Sequence, residues 1–219
     1  LNWIHEVEVE LQKVINLKGG DQNSDIEKIE LLFFYCKGRY LIRCGNYQEG
    51  IRMIRRVIVL SERSGDLKSE LQGHKQMIIY GIQTNNPEIM LLHITNGIKV
   101  ARKFNNVLES GVLYRLYGVY HLMQGRGETA EALFMKSISL VGATDRITNT
   151  NSINLAANYN YIGEIRNQAG AFDEAMDYFN KAIHMCDYFE PSALSIFYIN
   201  AGKTAFLMNN GPQMAWYLD

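Results

Sequence analysis

A block of residues recurs along this chain about every forty positions, and that spacing limits the fold before any single helix is assigned. In the fullest copy, Tyr159, Gly163, Gly170, Phe172, Ala175, Phe179 and Ala182 stand in fixed order. The same offsets carry Tyr114, Gly118, Gly125, Gly127, Ala130, Phe134 and Ser137, and again Phe34, Gly38, Gly45, Tyr47, Gly50, Ile54 and Val57. Two weaker copies keep the register. Pro87, Met90, Ile94 and Gly97 occupy the places of Tyr47, Gly50, Ile54 and Val57 one period later, and Tyr198, Gly202, Gly211, Met214 and Leu218 open a fifth copy. A period of roughly 20–50 residues belongs to solenoids and propellers.

The residue types within a copy point to helix pairs. A pair buries its apolar face only by stacking on the next pair, so small residues (Gly118, Gly163, Ala175, Ala182) are required where backbones approach, and large ones (Phe134, Phe179) fill the space between. Pro87, Pro191 and Pro212 each fall where the register starts a helix, the place where proline is tolerated. The spacing predicts helices over 2–17, 26–44, 47–63, 67–83, 87–104, 107–124, 128–141, 151–169, 172–188, 191–208 and from 212 onward. Trp3, Ile4, Val7, Leu11, Val14 and Ile15 form one stripe of the first, which reads as the second member of a pair. The chain begins without methionine and ends within a copy, so a fragment truncated at both ends is expected.

The pattern resembles the tetratricopeptide repeat over nearly the whole chain, through the aromatic before the first-helix glycine, that glycine, and the later small, large, small series. The resemblance implies an all-α, right-handed superhelix of antiparallel helix pairs. Residues 1–219 would form one array, with pairs near 26–63, 67–104, 107–141, 151–188 and 191–219; the stretches near Lys18–Ser24 and Gly142–Thr150 would be internal connections. Two departures stand out. The step is near forty rather than the common repeat length of roughly 34, and the proline that often closes a unit is missing.

Charge and motif content remove several function classes. Lys and Arg number 22 against 23 Asp and Glu, which argues against nucleic acid as a direct partner. No apolar run is long enough for a membrane span, and no secretory leader is visible. Cys36, Cys44 and Cys186 lack metal-type spacing and read as buried free thiols, with a cytoplasmic location implied. No metal site and no cofactor is expected. The five histidines form no His-Glu-x-x-His helix, Gly125-Arg126-Gly127 and Gly19-Gly20-Asp21 read as turns, and His121 lacks a paired carboxylate or nucleophile, so it reads as a packing or surface residue. The chain reads as non-enzymatic.

In tetratricopeptide arrays the first helices line a concave groove, and the resemblance implies which residues face it: those three before, one after, and four or five after the first-helix glycine. These are Tyr35, Arg39, Ile42 and Arg43; Lys75, Ile79, Ile82 and Gln83; Arg115, Val119, Leu122 and Met123; Asn160, Glu164, Asn167 and Gln168; and Ile199, Lys203, Phe206 and Leu207. Arg39, Arg43, Lys75 and Arg115 would make a basic strip suited to carboxylates. The side-chain amides of Asn160, Asn167 and Gln168 would suit an extended peptide backbone. Tyr35 and Arg39 stand where a co-chaperone clamp carries Lys and Asn, which speaks against a chaperone-tail ligand.

Repeat length and turns such as Ser64-Gly65-Asp66 resemble the sensor arrays of bacterial regulators, both the MalT-like activators and the peptide-pheromone receptors of the Rap and PlcR type. The function so implied is binding of a peptide, a protein or a small anionic effector within a transcriptional regulator. The alternative is a structural adaptor that assembles complexes and self-associates; an array that controls an enzyme is third. Trp216 and Tyr217 are expected to be exposed.

Overall fold

The computed structural model describes Val9, Lys13 and residues 24–143, 149–186 and 191–218. From residue 24 onward, ten helices follow one another: α1 (Ser24–Arg43), α2 (Tyr47–Ser64), α3 (Leu67–Gln83), α4 (Pro87–Lys103), α5 (Val107–Met123), α6 (Gly127–Gly142), α7 (Asn149–Gln168), α8 (Phe172–Cys186), α9 (Pro191–Leu207) and α10 (Gly211–Leu218). They pack as sequential antiparallel pairs, and the ends lie within two residues of the sequence reading. Val9 and Lys13 are helical; the rest of the 2–17 helix, the following connection up to residue 23, residues 144–148 of the second connection and the 187–188 end of α8 lie outside the described residues.

Backbone chemistry sets the ends. Each turn from a first to a second helix contains one left-handed residue at the same register: Gly45, Asn85, Gly125, Gly170 and Asn209, with φ from 50 to 80°. Glycine and asparagine are the residues that enter this region at least cost. Side chains then close the next helix. Asp66 accepts from the Ser69 amide at 3.1 Å, Asn86 from Ile89 at 3.1 Å, Asn106 from Glu109 at 3.1 Å and Asn210 from Gln213 at 3.2 Å.

Close approach within each pair explains the first-helix glycine. A Cβ on Gly118 would stand 2.5 Å from the Phe134 ring, and one on Gly163 would stand 2.6 Å from that of Phe179. Gly38 meets Ile54 at 2.8 Å and Gly202 meets Leu218 at 2.7 Å in the same way. The second pair differs. Ile78 holds the glycine's register position and is fully buried, while Gly81, one turn on, meets Met90 at 2.6 Å.

The described residues form two compact units, one ending at Phe104 and one beginning at Asn105. In the first, α1–α4 enclose a core that includes Leu31, Phe34, Ile42, Ile54, Val57 and Met77. His74 takes the place where other copies carry an aromatic, and its Nδ1 lies 2.9 Å from Nδ1 of His93 on α4. In the second unit, α5–α10 bury Phe134, Ile162, Met176, Phe179, Phe197 and Tyr217. There α5 touches α7 and α7 touches α9, whereas the second helices α6, α8 and α10 do not touch one another among the described residues. The first helices therefore form the tighter, inner layer of this unit. Among the described residues no helix is long and apolar enough to cross a membrane.

Two expectations are corrected. Cys36 and Cys44 are exposed, and Cys186 is the buried thiol; all three are unbridged. Trp216 is 67% exposed, but Tyr217 turns inward, 6% exposed, and donates its hydroxyl to Asn180 Oδ1 at 2.6 Å.

Candidate binding face

In the first unit the candidate residues lie on α1 and α3. Tyr35 is half-buried and donates its hydroxyl to Gln72 Oε1 at 3.2 Å, and the Arg39 guanidinium lies 5.3 Å from the Tyr35 ring centroid. Arg43 is exposed and Lys75 half-buried. Beside Tyr35 a cavity of about 320 Å³ opens between α1 and α3, with Leu31 and Val57 in its wall and Lys28 and Lys68 on its lining. Ile42 does not face a groove. It is 1% exposed and packs with Ile54 and Met77, because α3 covers this position of α1.

In the second unit a ladder of side-chain bonds joins the first helices. Asn160 on α7 donates to Glu164 Oε1 at 2.7 Å. Asn200 on α9 donates to Asn160 Oδ1 at 2.9 Å and to the same Glu164 oxygen at 3.0 Å. Further along, the Thr204 hydroxyl donates to the Asn200 carbonyl at 2.9 Å and lies 3.2 Å from Asn167 Oδ1. On the α5 side, Arg115 Nη2 donates to Asn154 Oδ1 at 3.3 Å. Burial pushes the Glu164 carboxyl above its ordinary value, against the opposing pull of the Asn160 and Asn200 amides and the Lys203 charge.

What this ladder leaves available follows from valence. Both Nδ2 hydrogens of Asn200 are committed, so Asn200 presents Oδ1 as an acceptor, and Glu164 presents its second oxygen. The one Thr204 hydroxyl hydrogen is committed to the Asn200 carbonyl and cannot also serve Asn167, whose amide keeps both its donor and its acceptor functions. The inner layer thus offers acceptors at Asn200 and Glu164 and an amide with both functions at Asn167, the kinds of group an extended polypeptide backbone pairs with.

Of the other candidates here, Leu122 is half-buried and Lys203 exposed, whereas Val119 is buried at 7% and belongs to the core instead of a groove. Asn200, Thr204, Asn154 and Tyr161 were not picked out by the offset rule. Asn200 stands forty residues after Asn160, but the register step between these copies, Gly163 to Gly202, is 39, which puts Ile199 on the Asn160 offset and leaves Asn200 unmarked. His121 is buried among the rings of Tyr117 and Tyr120, at centroid distances of 4.8 and 5.1 Å, and burial lowers its pKa.

No family model matches the chain, and no curated protein matches it. Solved structures do. BtubC from P. vanneervenii superposes with a TM-score of 0.77 at 11% identity, over 99% of this chain and 87% of that one. NprR in complex with its cognate peptide NprX gives 0.69 at 12% identity, over 98% and 60%. The apo form of RapI gives 0.71 at 13% identity, over 98% and 58%, so this chain spans less than two thirds of the NprR and RapI chains. None of these three is a MalT-like activator, and at such identities the likeness is one of fold. Geometry and likeness together establish a tetratricopeptide-like helical array.

Proposed function

We propose that the chain is a non-catalytic binding array whose inner first-helix layer takes up an extended peptide or protein segment. The observation that carries this reading is the ladder in which Asn160, buried at 4%, holds the half-buried Glu164 and Asn200, with half-buried Asn167 beside it, offering both donors and acceptors. A peptide running along α7 and α9 would pair its own backbone groups with those donors and acceptors without demanding particular side chains. The likeness to NprR, whose structure holds a cognate peptide, supports the same use, and we extend the proposal to a cytoplasmic sensor segment of a bacterial transcriptional regulator.

Selection from a displayed random-peptide library, followed by titration of the enriched peptides, tests the reading. Asn160→Ala with Asn200→Ala should weaken binding about tenfold or more, since each lost bond in a half-buried site contributes on the order of 1 kcal/mol. Circular dichroism should report an intact fold. Equal affinity in the double variant would remove the ladder from the binding face.

A structural adaptor is the second reading. It is favoured by exposed apolar side chains on α9 and α10, where Ile196, Phe206 and Trp216 are 55, 65 and 67% exposed. It predicts partner binding that survives loss of the ladder amides and is abolished by Phe206→Ser with Ile196→Ser.

A further inference from the structure

Among the described residues of the second unit, Arg115 is a cation whose surroundings do not match its charge. Arg56 and Arg166 each reach a carboxylate, Glu30 for the first and Glu131 and Glu174 for the second. Arg115 forms no ion pair among the described residues. Its Nε is sealed from solvent and has no hydrogen-bond partner, and its bond to Asn154 is long at 3.3 Å. Burial also pulls its pKa below the ordinary value. A buried guanidinium without a matching acceptor costs free energy, and the fold keeps it on the inner layer beside the ladder.

The neighbouring groups fit an anion. Tyr161 on α7 lies within electrostatic reach of Arg115, and burial pushes the Tyr161 phenol up, so it stays neutral and able to donate. Its ring is stacked on Phe134 at 5.1 Å, which fixes its position. Arg115 as a whole is half-buried, so part of the residue reaches the surface of the second unit.

The geometry points to Arg115, with Asn154 and Tyr161 beside it, as a carboxylate subsite at the α5 end of the peptide-binding face. This rests on the peptide-binding reading and adds to it that the ligand carries an acid, either a side-chain carboxylate or a C-terminal one. Two Nη donors match the two oxygens of a planar carboxylate.

The sealed Nε–H provides the readout, because a protected guanidinium proton gives an observable ¹H–¹⁵N signal. Acetate is titrated at constant ionic strength, followed by Ac-Ala-Asp-NH₂, Ac-Ala-Ala with a free C-terminus, and the fully capped Ac-Ala-Ala-NH₂. We expect the Arg115 signal to move saturably with acetate and with at least one of the two acidic dipeptides, and not with the capped one or with chloride. The stronger dipeptide identifies the source of the carboxylate. Arg115→Lys should bind about tenfold more weakly, since it keeps the charge and loses the fork. An Nε signal unmoved by every carboxylate, or moved by inorganic phosphate alone, would overturn the subsite. That result would leave the ladder's affinity for selected peptides untouched, so the two readings fail separately.

Discussion

Gly163 shows how one missing methyl group sets the distance between two helices. A Cβ there lies 2.6 Å from Phe179, closer than packed atoms allow. Gly163→Leu should therefore destabilise by about 1–3 kcal/mol, which in a chain of this size lowers Tm by roughly 2–12 °C. An unchanged melt would reject the register. Phe179→Leu should recover part of the loss in Gly163→Ala, because Leu218 is the residue that already sits against Gly202. This contact was legible in the sequence, since glycine and large residue recur at one spacing. The second copy was legible only in its later half, because Ile78 replaces the glycine and the fit there is made with Gly81. Ile42 was misread for a related reason. Its offset is that of a groove residue, and its burial depends on how α3 settles over α1, which no single copy encodes.

Helices as elements were readable nearly end to end, because their stops are written in local chemistry. Gly170 has φ of 77°, and nothing lies within 4 Å of a Cβ placed on it, so its role is conformational. Gly170→Ala should cost about 1–2 kcal/mol, and Gly170→Asn less, as Asn85 and Asn209 already hold the equivalent turns. Urea denaturation would show both; equal losses for Ala and Asn would mean that the turn is not held by its left-handed residue. The ladder was only half legible. Asn160, Glu164 and Asn167 fall on groove offsets, but Asn200 and Thr204 lie between them and become partners only when α9 packs against α7.

At the scale of the molecule, the first unit carries a buried histidine pair that couples its stability to acid. Burial holds His74 and His93 at a pKa of about 4, with the His93 ring adding to the effect on His74 and Arg55 to that on His93. Both lie below the ordinary histidine value of 6.5, so stability is full above about pH 6.5 and is lost as pH falls toward 4, because the unfolded chain binds protons more readily. Glu70, 4.0 Å from His74 and influenced by Glu62 and Lys103, is raised by burial and works weakly in the opposite sense. Hydrogen exchange should show α3 and α4 losing protection in this window before α7–α9. His74→Phe with His93→Leu should flatten the dependence, and a slope that survives the double substitution would place the acid sensitivity elsewhere.

Because each pair carries its own left-handed turn and its own glycine seat, a forty-residue segment is a complete cassette that needs only a neighbour to stack on. A gene duplication cut in this register would deliver every part its product needs, whereas one cut out of register would split a seat from its occupant. The steps between first-helix register positions run 38, 78, 118, 163 and 202, so the one long step brings about five extra residues between Gly118 and Gly163. Helices α5–α8 keep the common offsets, which puts the surplus in the connection before α7. Lineages of such arrays would then differ mainly in how many cassettes they hold and in what their connections have gained, while the interior of each cassette drifts slowly.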